Sequence, residues 1–169
     1  VLVVDTNWEN VRAARMEEIP AWFGNPMSDR AETEMSLAGL GGLLALTPNR
    51  ELNLLASRNF LREFGQQRLF RLRARVKSRG TTTKVASEKA HVNEILHGRV
   101  LFAEDAVFPS LAARVRAEQA IRATKLSDEF GWSDWRKQHP DALPMFAISP
   151  SGKVEVFAVG DQGLETPVV

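Results

Sequence analysis

Short apolar runs alternate with helix-forming segments along residues 1–76, and this alternation limits the possible folds more than any other feature of the sequence. The runs are residues 1–4 (VLVV), 21–23 (AWF), 43–46 (LLAL) and 69–76 (LFRLRARV). Continuous apolar, β-branched runs are typical of strands that are buried on both faces of a parallel sheet. Because helical segments and short loops connect the runs, the pattern predicts a doubly wound α/β sheet.

Capping residues indicate where the helices of this pattern begin. Thr6 or Asn7 can cap the first helix, Ser28 or Asp29 the second, and the Thr47-Pro48-Asn49 turn leads into the third. The apolar residues that we expect to face inward include Trp8, Val11, Ala14, Ile19 and Leu55.

The sequence after residue 80 is less regular and predicts a smaller α+β lobe. We expect a strand at 100–102, a helix that Asp105 caps and whose inner face includes Val115, a further strand at 121–126 and a helical turn at 132–137. The predicted domain boundaries are 1–80 for the parallel sheet, 81–98 for a linker and helix, and 99–169 for the lobe.

Two alternating runs near the end of the chain predict a β-hairpin over residues 143–159. The turn between them is Ser149-Pro150-Ser151-Gly152, in which the glycine suits the left-handed position.

Composition and charge exclude several classes of function. Lys and Arg number 22 against 21 Asp and Glu, so the overall charge does not indicate a nucleic-acid partner. Cysteine is absent, which excludes disulfides, cysteine-based metal sites and thiol catalysis. No apolar stretch approaches the roughly 20 residues of a membrane-spanning helix.

Catalytic and metal-binding patterns are also missing from the sequence. The histidines His91, His97 and His139 have no metal-binding spacing, and neither a nucleophile elbow nor a phosphate-binding P-loop occurs. We therefore predict no metal site and no enzymatic activity.

Asp5 is the most informative position, because it ends the first apolar run and precedes a helix. In a Rossmann-like dinucleotide-binding fold, the acid at the end of the second strand accepts hydrogen bonds from the adenosine ribose hydroxyls. The alternative is that Asp5 only caps the helix that begins near Trp8. Under the first interpretation, the first strand and its glycine loop, which lies roughly 20 residues before the acid, fall outside this sequence.

A sheet without its first strand would have a gap in its centre. In the common strand order, the first strand lies between the second and the fourth. We therefore expect residues 1–4 and 43–46 to keep one unpaired edge each, to be filled by a strand from another copy or by a rearranged pairing. Such edges favour a homodimer over a monomer.

Further polar residues follow the other strands of the predicted sheet. Thr47 and Asn49 come after the run at 43–46, at the carboxyl edge where ligands of open α/β sheets bind. Asn25 follows the run at 21–23, where it could contact a base. Each of these residues has an alternative role as a helix cap or turn residue.

A row of basic residues follows the last apolar run of the sheet. Alternate positions place these side chains on one face of a strand, where they could meet phosphates, nucleic acid or an anionic membrane. The alternative is a solvated sheet edge that discourages aggregation. The residues are Arg71, Arg73, Arg75, Lys77 and Arg79.

Two sequence blocks resemble a known family. VLVVDTNWENVRAARMEEIPAWFGNP and LLALTPNRELNLLASRNFLREFG are similar to the regulatory RCK or TrkA-N type domain at the cytosolic C-terminus of bacterial sodium/proton antiporters of the monovalent cation:proton antiporter-1 family. Two later segments, RVLFAEDAVFPSLAARV (99–115) and LPMFAISPSGKVEVFAV (143–159), resemble the tail of that family more loosely.

The resemblance implies a nucleotide sensor at the cytoplasmic face of the bacterial inner membrane. Its partner would be the transmembrane antiporter domain of the same chain, its ligand NAD(H) or an adenine nucleotide, and no nucleic acid is expected. The implied binding residues are Asp5, Thr6, Asn7, Asn25, Thr47 and Asn49. Two alternatives remain open at this point, a fragment of an NAD-dependent dehydrogenase and a nucleic-acid binding module.

Overall fold

Two parallel sheets and one antiparallel hairpin form the β-structure in a computed structural model, which describes residues 1–73, 98–103, 105–117 and 121–161. The strands are β1 (Val3–Asp5), β2 (Ala21–Phe23), β3 (Leu43–Ala45), β4 (Leu69–Arg71), β5 (Arg99–Val100), β6 (Phe146–Ile148) and β7 (Val154–Val156). The helices are α1 (Trp8–Met16), α2 (Asp29–Glu34), α3 (Arg50–Asn59), α4 (Leu61–Phe64), α5 (Phe108–Arg116) and α6 (Trp132–Gln138). The predicted mixed α/β class and the parallel direction of the sheets are confirmed.

The first sheet contains β1 and β2, with α1 as the connection between them. The strands are parallel, and Asp5 is the register partner of Phe23. Val11 of α1 is fully buried. Arg15 donates from Nε and Nη2 to the carbonyl oxygen of Ala21 at 3.2 and 2.9 Å, which ties the end of α1 to the start of β2.

The second sheet has the parallel order β3-β4-β5 and contains the main core. β4 is the central strand and all three of its residues are buried. The core around it combines side chains from β4, from the segment after β5 and from the end of the chain's described part. These residues are Phe70, Leu72, Leu101, Phe102, Ala106 and Ala158.

An antiparallel segment extends this second sheet beyond β5. The amide of Phe102 donates to the carbonyl of Phe157 at 2.9 Å, and the amide of Val159 donates to that of Val100 at 2.8 Å. The same segment continues β7, whose pairing with β6 forms the predicted hairpin. Gly152 closes the turn with a φ of 80°, as the sequence predicted.

The edges at β1 and at β3 have no strand partner in the part of the chain that the structure describes. Within the described residues, β1 pairs only with β2, and β3 pairs only with β4. These are the two edges that we expected to be unpaired on the basis of the sequence.

Several expectations about the helices and strands are wrong. Trp8, Ile19 and Leu55 are 50%, 38% and 54% exposed, because only the Val11 side of α1 and the Asn53–Ser57 side of α3 contact the sheets. Val115 of α5 is likewise exposed, and residues 121–126 form no strand.

Two further corrections concern single residues. The cap of α5 is Val107 and not Asp105. Ser110 Oγ accepts a hydrogen bond from the Val107 amide at 3.2 Å, and the side chain of Asp105 lies outside the first turn of the helix. Arg71 is only 1% exposed and lies on β4, which is paired on both sides, so it does not belong to a solvated sheet edge.

Other predictions lie outside the described residues. They are the helix and linker at 81–97, the end of the strand at 74–76, and Arg75, Lys77, Arg79, His91 and His97.

Candidate functional site

The carboxylate of Asp5 lies at the carboxyl end of β1 and is held by two local hydrogen bonds. Its Oδ1 accepts from the amide of Asn7 at 2.8 Å, and its Oδ2 accepts from Nδ2 of Asn10 at 2.7 Å. A carboxylate oxygen has two lone pairs, so each oxygen can accept one more hydrogen bond. Asp5 therefore has a structural role at the start of α1, and each of its carboxylate oxygens keeps one further acceptor site.

Asn7, and not Thr6, is the N-cap of α1. Its Oδ1 accepts from the amide of Glu9 at 2.9 Å. Thr6 is exposed, and no side-chain hydrogen bond involves it within the described part of the chain. Both residues lie next to Asp5 at the same end of the sheet.

Asn25 forms the turn after β2. Its Oδ1 accepts from the amide of Met27 at 3.0 Å, and its carbonyl accepts from the amide of Ser28 at 3.1 Å. The amide of the preceding Gly24 donates to the carbonyl of Asp5 at 3.0 Å. Asn25 and Asp5 are therefore brought to the same end of the first sheet, although each has a local structural role.

Thr47 and Asn49 form the junction between β3 and α3. Asn49 caps α3 by accepting from the amide of Leu52 at 3.0 Å. Oγ1 of Thr47 donates to Oδ1 of Asn53 at 2.6 Å, and Nδ2 of Asn53 donates to the carbonyl of Thr47 at 2.9 Å. The hydroxyl and the carbonyl of Thr47 are therefore both hydrogen-bonded to the Asn53 side chain.

Sequence reasoning missed Asn53, which is only 2% exposed. The available signal was its place in the apolar periodicity of α3, where a polar side chain must find hydrogen-bond partners. Thr47 and Asn49 lie at the carboxyl end of the second sheet, and no hydrogen bond among the described residues joins them to Asp5 or Asn25.

Two partly exposed aromatic side chains lie beside Asp5. Trp8 and Phe23 contact each other edge to face, with ring centroids 5.5 Å apart and planes at 88°. They are 50% and 40% exposed. The guanidinium of Arg15 lies 5.5 Å from the centre of the Trp8 ring. This aromatic pair was also missed, because Trp8 was expected to face the core.

A charged pair lies on α2, which follows the Asn25 turn. Nε of Arg30 donates to the Glu34 carboxylate at 2.8 Å. This hydrogen bond lowers the pKa of Glu34 below its ordinary value, and burial opposes the effect. The Arg30 guanidinium also lies 5.9 Å from the centre of the Trp22 ring.

A cleft of about 530 Å³ lies in the C-terminal part of the chain. Trp132 on its wall stacks on Phe157 and on Trp135, with ring centroids 5.1 Å apart in both pairs. The lining carries both guanidinium and carboxylate groups, including Arg114, Arg136 and Asp141. None of the residues predicted to bind a nucleotide lines this cleft.

Two other kinds of feature are absent from the described residues. No group of three or more His, Cys, Asp or Glu side chains there could hold a metal ion. No helix there has the length and apolarity that a membrane crossing requires.

The comparisons with known proteins give no family for this chain. No protein-family model, no curated protein and no solved structure matches it.

Proposed function

We propose that this chain is the nucleotide-sensing regulatory domain of a bacterial sodium/proton antiporter, located at the cytoplasmic face of the inner membrane. The proposal combines the family resemblance of the DTNWEN and TPNRELN blocks with the geometry at the end of β1. The ligand would be NAD(H) or an adenine nucleotide, and Asp5 would accept hydrogen bonds from its ribose hydroxyls.

The observation that carries the proposal is the position and bonding of the Asp5 carboxylate. It lies at the carboxyl end of a parallel strand, where open α/β sheets bind their ligands. Asn7 and Asn10 fix its orientation and leave one acceptor site on each oxygen. Two adjacent acceptor sites match the two hydroxyls of a ribose.

The strand pairing supports a Rossmann-like interpretation of the sheet. One parallel strand between the unpaired edges of β1 and β3 would give the order β2-β1-new strand-β3-β4-β5. This is the order of a dinucleotide-binding sheet, in which the central strand leads into the glycine loop. The amides of that loop and its helix would bind the phosphates.

The ligand would regulate transport if it bound one arrangement of the paired domains more tightly than the other. A ligand shifts the balance between two arrangements of paired domains only to the extent that it binds one arrangement more tightly. In a homodimer of this domain, that preference would bias the attached transport domain, and nucleotide level would set the rate of ion exchange.

Calorimetric titration of the full-length protein with NAD⁺, NADH, ATP, ADP and AMP tests the proposal. We expect at least one of them to bind, and we expect Asp5→Asn to weaken that binding roughly tenfold or more, because hydrogen bonds to a charged acceptor are worth about 1.5–3 kcal/mol. Asp128→Asn, at an exposed position in the C-terminal part, serves as the matched control. Absence of binding by all five nucleotides would contradict the proposal.

A further inference from the structure

The cleft in the C-terminal part of the chain has walls that are fixed by stacking and by a hydrogen bond. The ring of Trp132 is nearly parallel to those of Phe157 and Trp135, at 13° and 16°, with centroids 5.1 Å apart in both pairs. Nη1 of Arg136 donates to the carbonyl of Ala142 at 3.0 Å, which ties the loop after α6 to the helix. The volume of about 530 Å³ lies within the range of roughly 300–1,000 Å³ that small-molecule sites occupy.

Arg114 of α5 lines this cleft with a guanidinium that the protein does not use. The residue is partly buried. Within the described part of the chain, its side chain takes part in no hydrogen bond and no ion pair. A guanidinium has five N–H donors and no acceptor, and its planar shape matches a carboxylate. The cleft therefore contains a binding group for an anionic oxygen.

The cleft also contains carboxylates that have no partner. Of its three acidic lining residues that the structure describes, Asp161 is engaged, because it accepts from the guanidinium of Arg99 and from the amide of Ala158. The side chains of the other two, Asp105 and Asp141, accept no hydrogen bond from any residue that the structure describes. Unused acceptors therefore line the same cleft as the unused donors of Arg114.

The balance of charge in the cleft indicates what kind of ion fits it. Apart from Asp161, its described lining residues carry two guanidiniums and two carboxylates. There is no excess of positive charge that would attract a polyanion such as a nucleotide phosphate. A molecule with one negative and one positive group can form charge-assisted hydrogen bonds with both kinds of side chain. The remaining lining is largely apolar and includes Phe102, Leu143 and Pro144.

We propose that this cleft binds a free α-amino acid with an apolar side chain. The ligand carboxylate accepts hydrogen bonds from Arg114, and the ligand ammonium donates to Asp105 and Asp141. The ligand side chain lies against the apolar part of the lining. The inference does not rest on the proposed function, because none of the residues predicted to bind a nucleotide lines the cleft.

Calorimetric titration of the full-length protein with L-phenylalanine and L-leucine tests the proposal. The comparison ligands are phenylpropionate, which lacks the ammonium group of phenylalanine, and phenylethylamine, which lacks its carboxylate. We expect L-phenylalanine to bind at least roughly tenfold more tightly than either, because each comparison ligand loses one set of charge-assisted hydrogen bonds.

Two variants locate the site within the chain. We expect Arg114→Gln to bind both amino acids roughly tenfold or more weakly, because it removes the charge that pairs with the ligand carboxylate. Arg116→Gln is the matched control, since this arginine is exposed on the same helix and does not line the cleft. The double variant Asp105→Asn with Asp141→Asn should weaken the binding of L-phenylalanine and leave that of phenylpropionate unchanged.

Thermal melting of each variant establishes that it is folded. If Arg114→Gln does not fold, the double variant and the comparison ligands still decide the question. Absence of binding by both amino acids would overturn the proposal, as would native affinity in Arg114→Gln. Equal affinity for phenylpropionate and L-phenylalanine would refute the requirement for a positive group on the ligand. None of these results affects nucleotide binding at Asp5, so the two proposals fail separately.

Discussion

Asn53 determines the conformation of the junction between β3 and α3 through one buried side chain. Its Oδ1 accepts from both the amide and the hydroxyl of Thr47, and its Nδ2 donates to the Thr47 carbonyl. Backbone groups that are shielded from water require partners, and the Asn53 side chain bonds both the backbone donor and the backbone acceptor of the part-buried Thr47.

Replacement of Asn53 by alanine should therefore destabilise the fold. We expect a loss of about 1–3 kcal/mol in the free energy of unfolding, because the change leaves the part-buried amide and carbonyl of Thr47 without their side-chain partner. Urea denaturation measures the difference. Asn59→Ala, at an exposed position of the same helix, should change the stability by less than about 0.5 kcal/mol. Equal stability of the two variants would show that water replaces the amide at no cost.

At this scale, the caps of α1 to α3 were predictable, whereas the cap of α5 and the direction of long side chains were not. Ser28 and Asn49 cap their helices by accepting hydrogen bonds from amides three residues later in the chain. Such a cap depends only on neighbouring residues, so the local sequence predicts it. The exposure of Trp8 and the burial of Arg71 depend on which neighbouring elements cover them, and that information lies far away in the sequence.

At the scale of elements, the path of the chain from β2 to α2 depends on Gly24. This residue has a φ of 149°, and an added Cβ would lie 2.6 Å from the ring of Trp22. The turn therefore requires both the backbone freedom of glycine and the space that its missing side chain leaves. Asn25 then closes the turn and Ser28 begins the helix.

Gly24→Ala should destabilise this turn by about 2 kcal/mol, because the strained backbone and the contact with Trp22 each carry a cost. Thermal or urea unfolding would measure the effect. The control is Gly41→Ala, because nothing lies within 4 Å of an added Cβ at that position and its φ is not in the left-handed region. If Gly24→Ala is as stable as Gly41→Ala, the turn has an alternative path.

Element type was predictable wherever the pattern was local. Alternation and the Ser149–Gly152 turn predicted the hairpin, and the apolar runs predicted β1 to β4. Residues 121–126 (IRATKL) mix apolar and basic side chains, and among the described residues they have no neighbouring strand with which to pair. A strand is defined by a partner as well as by its own residues, and a single run does not reveal that partner.

At the scale of the whole molecule, the two parallel sheets differ in how completely they are paired. β4 has a partner on each side and buried residues throughout, whereas β1 and β3 each have one partner among the described strands. The expectation that residues 1–4 and 43–46 each keep one unpaired edge agrees with the pairing of β1 and β3 among the described strands. The antiparallel extension by residues 157–159 was not predictable, because it joins segments that are distant in the sequence.

Hydrogen exchange should reflect this difference. We expect the amides of Leu69–Arg71 to exchange most slowly and those of Val3–Asp5 much faster, because opening the central strand requires disruption of most of the second sheet. Mass spectrometry of peptic fragments after deuterium labelling measures both regions in one experiment. Equal protection of the two strands would mean that a further partner covers β1 in solution.

The pairing of residues 157–159 with the outer edge of β5 and the residues after it also sets an order of events during protein synthesis. The ribosome releases β3, β4 and β5 long before the segment that pairs with the outer side of β5 has been made. Until that segment emerges, the nascent chain exposes an unprotected strand edge beside the apolar cluster that contains Leu101 and Phe102. A stop codon ahead of Phe157 would therefore release a chain whose β5 edge is open to pairing with other chains.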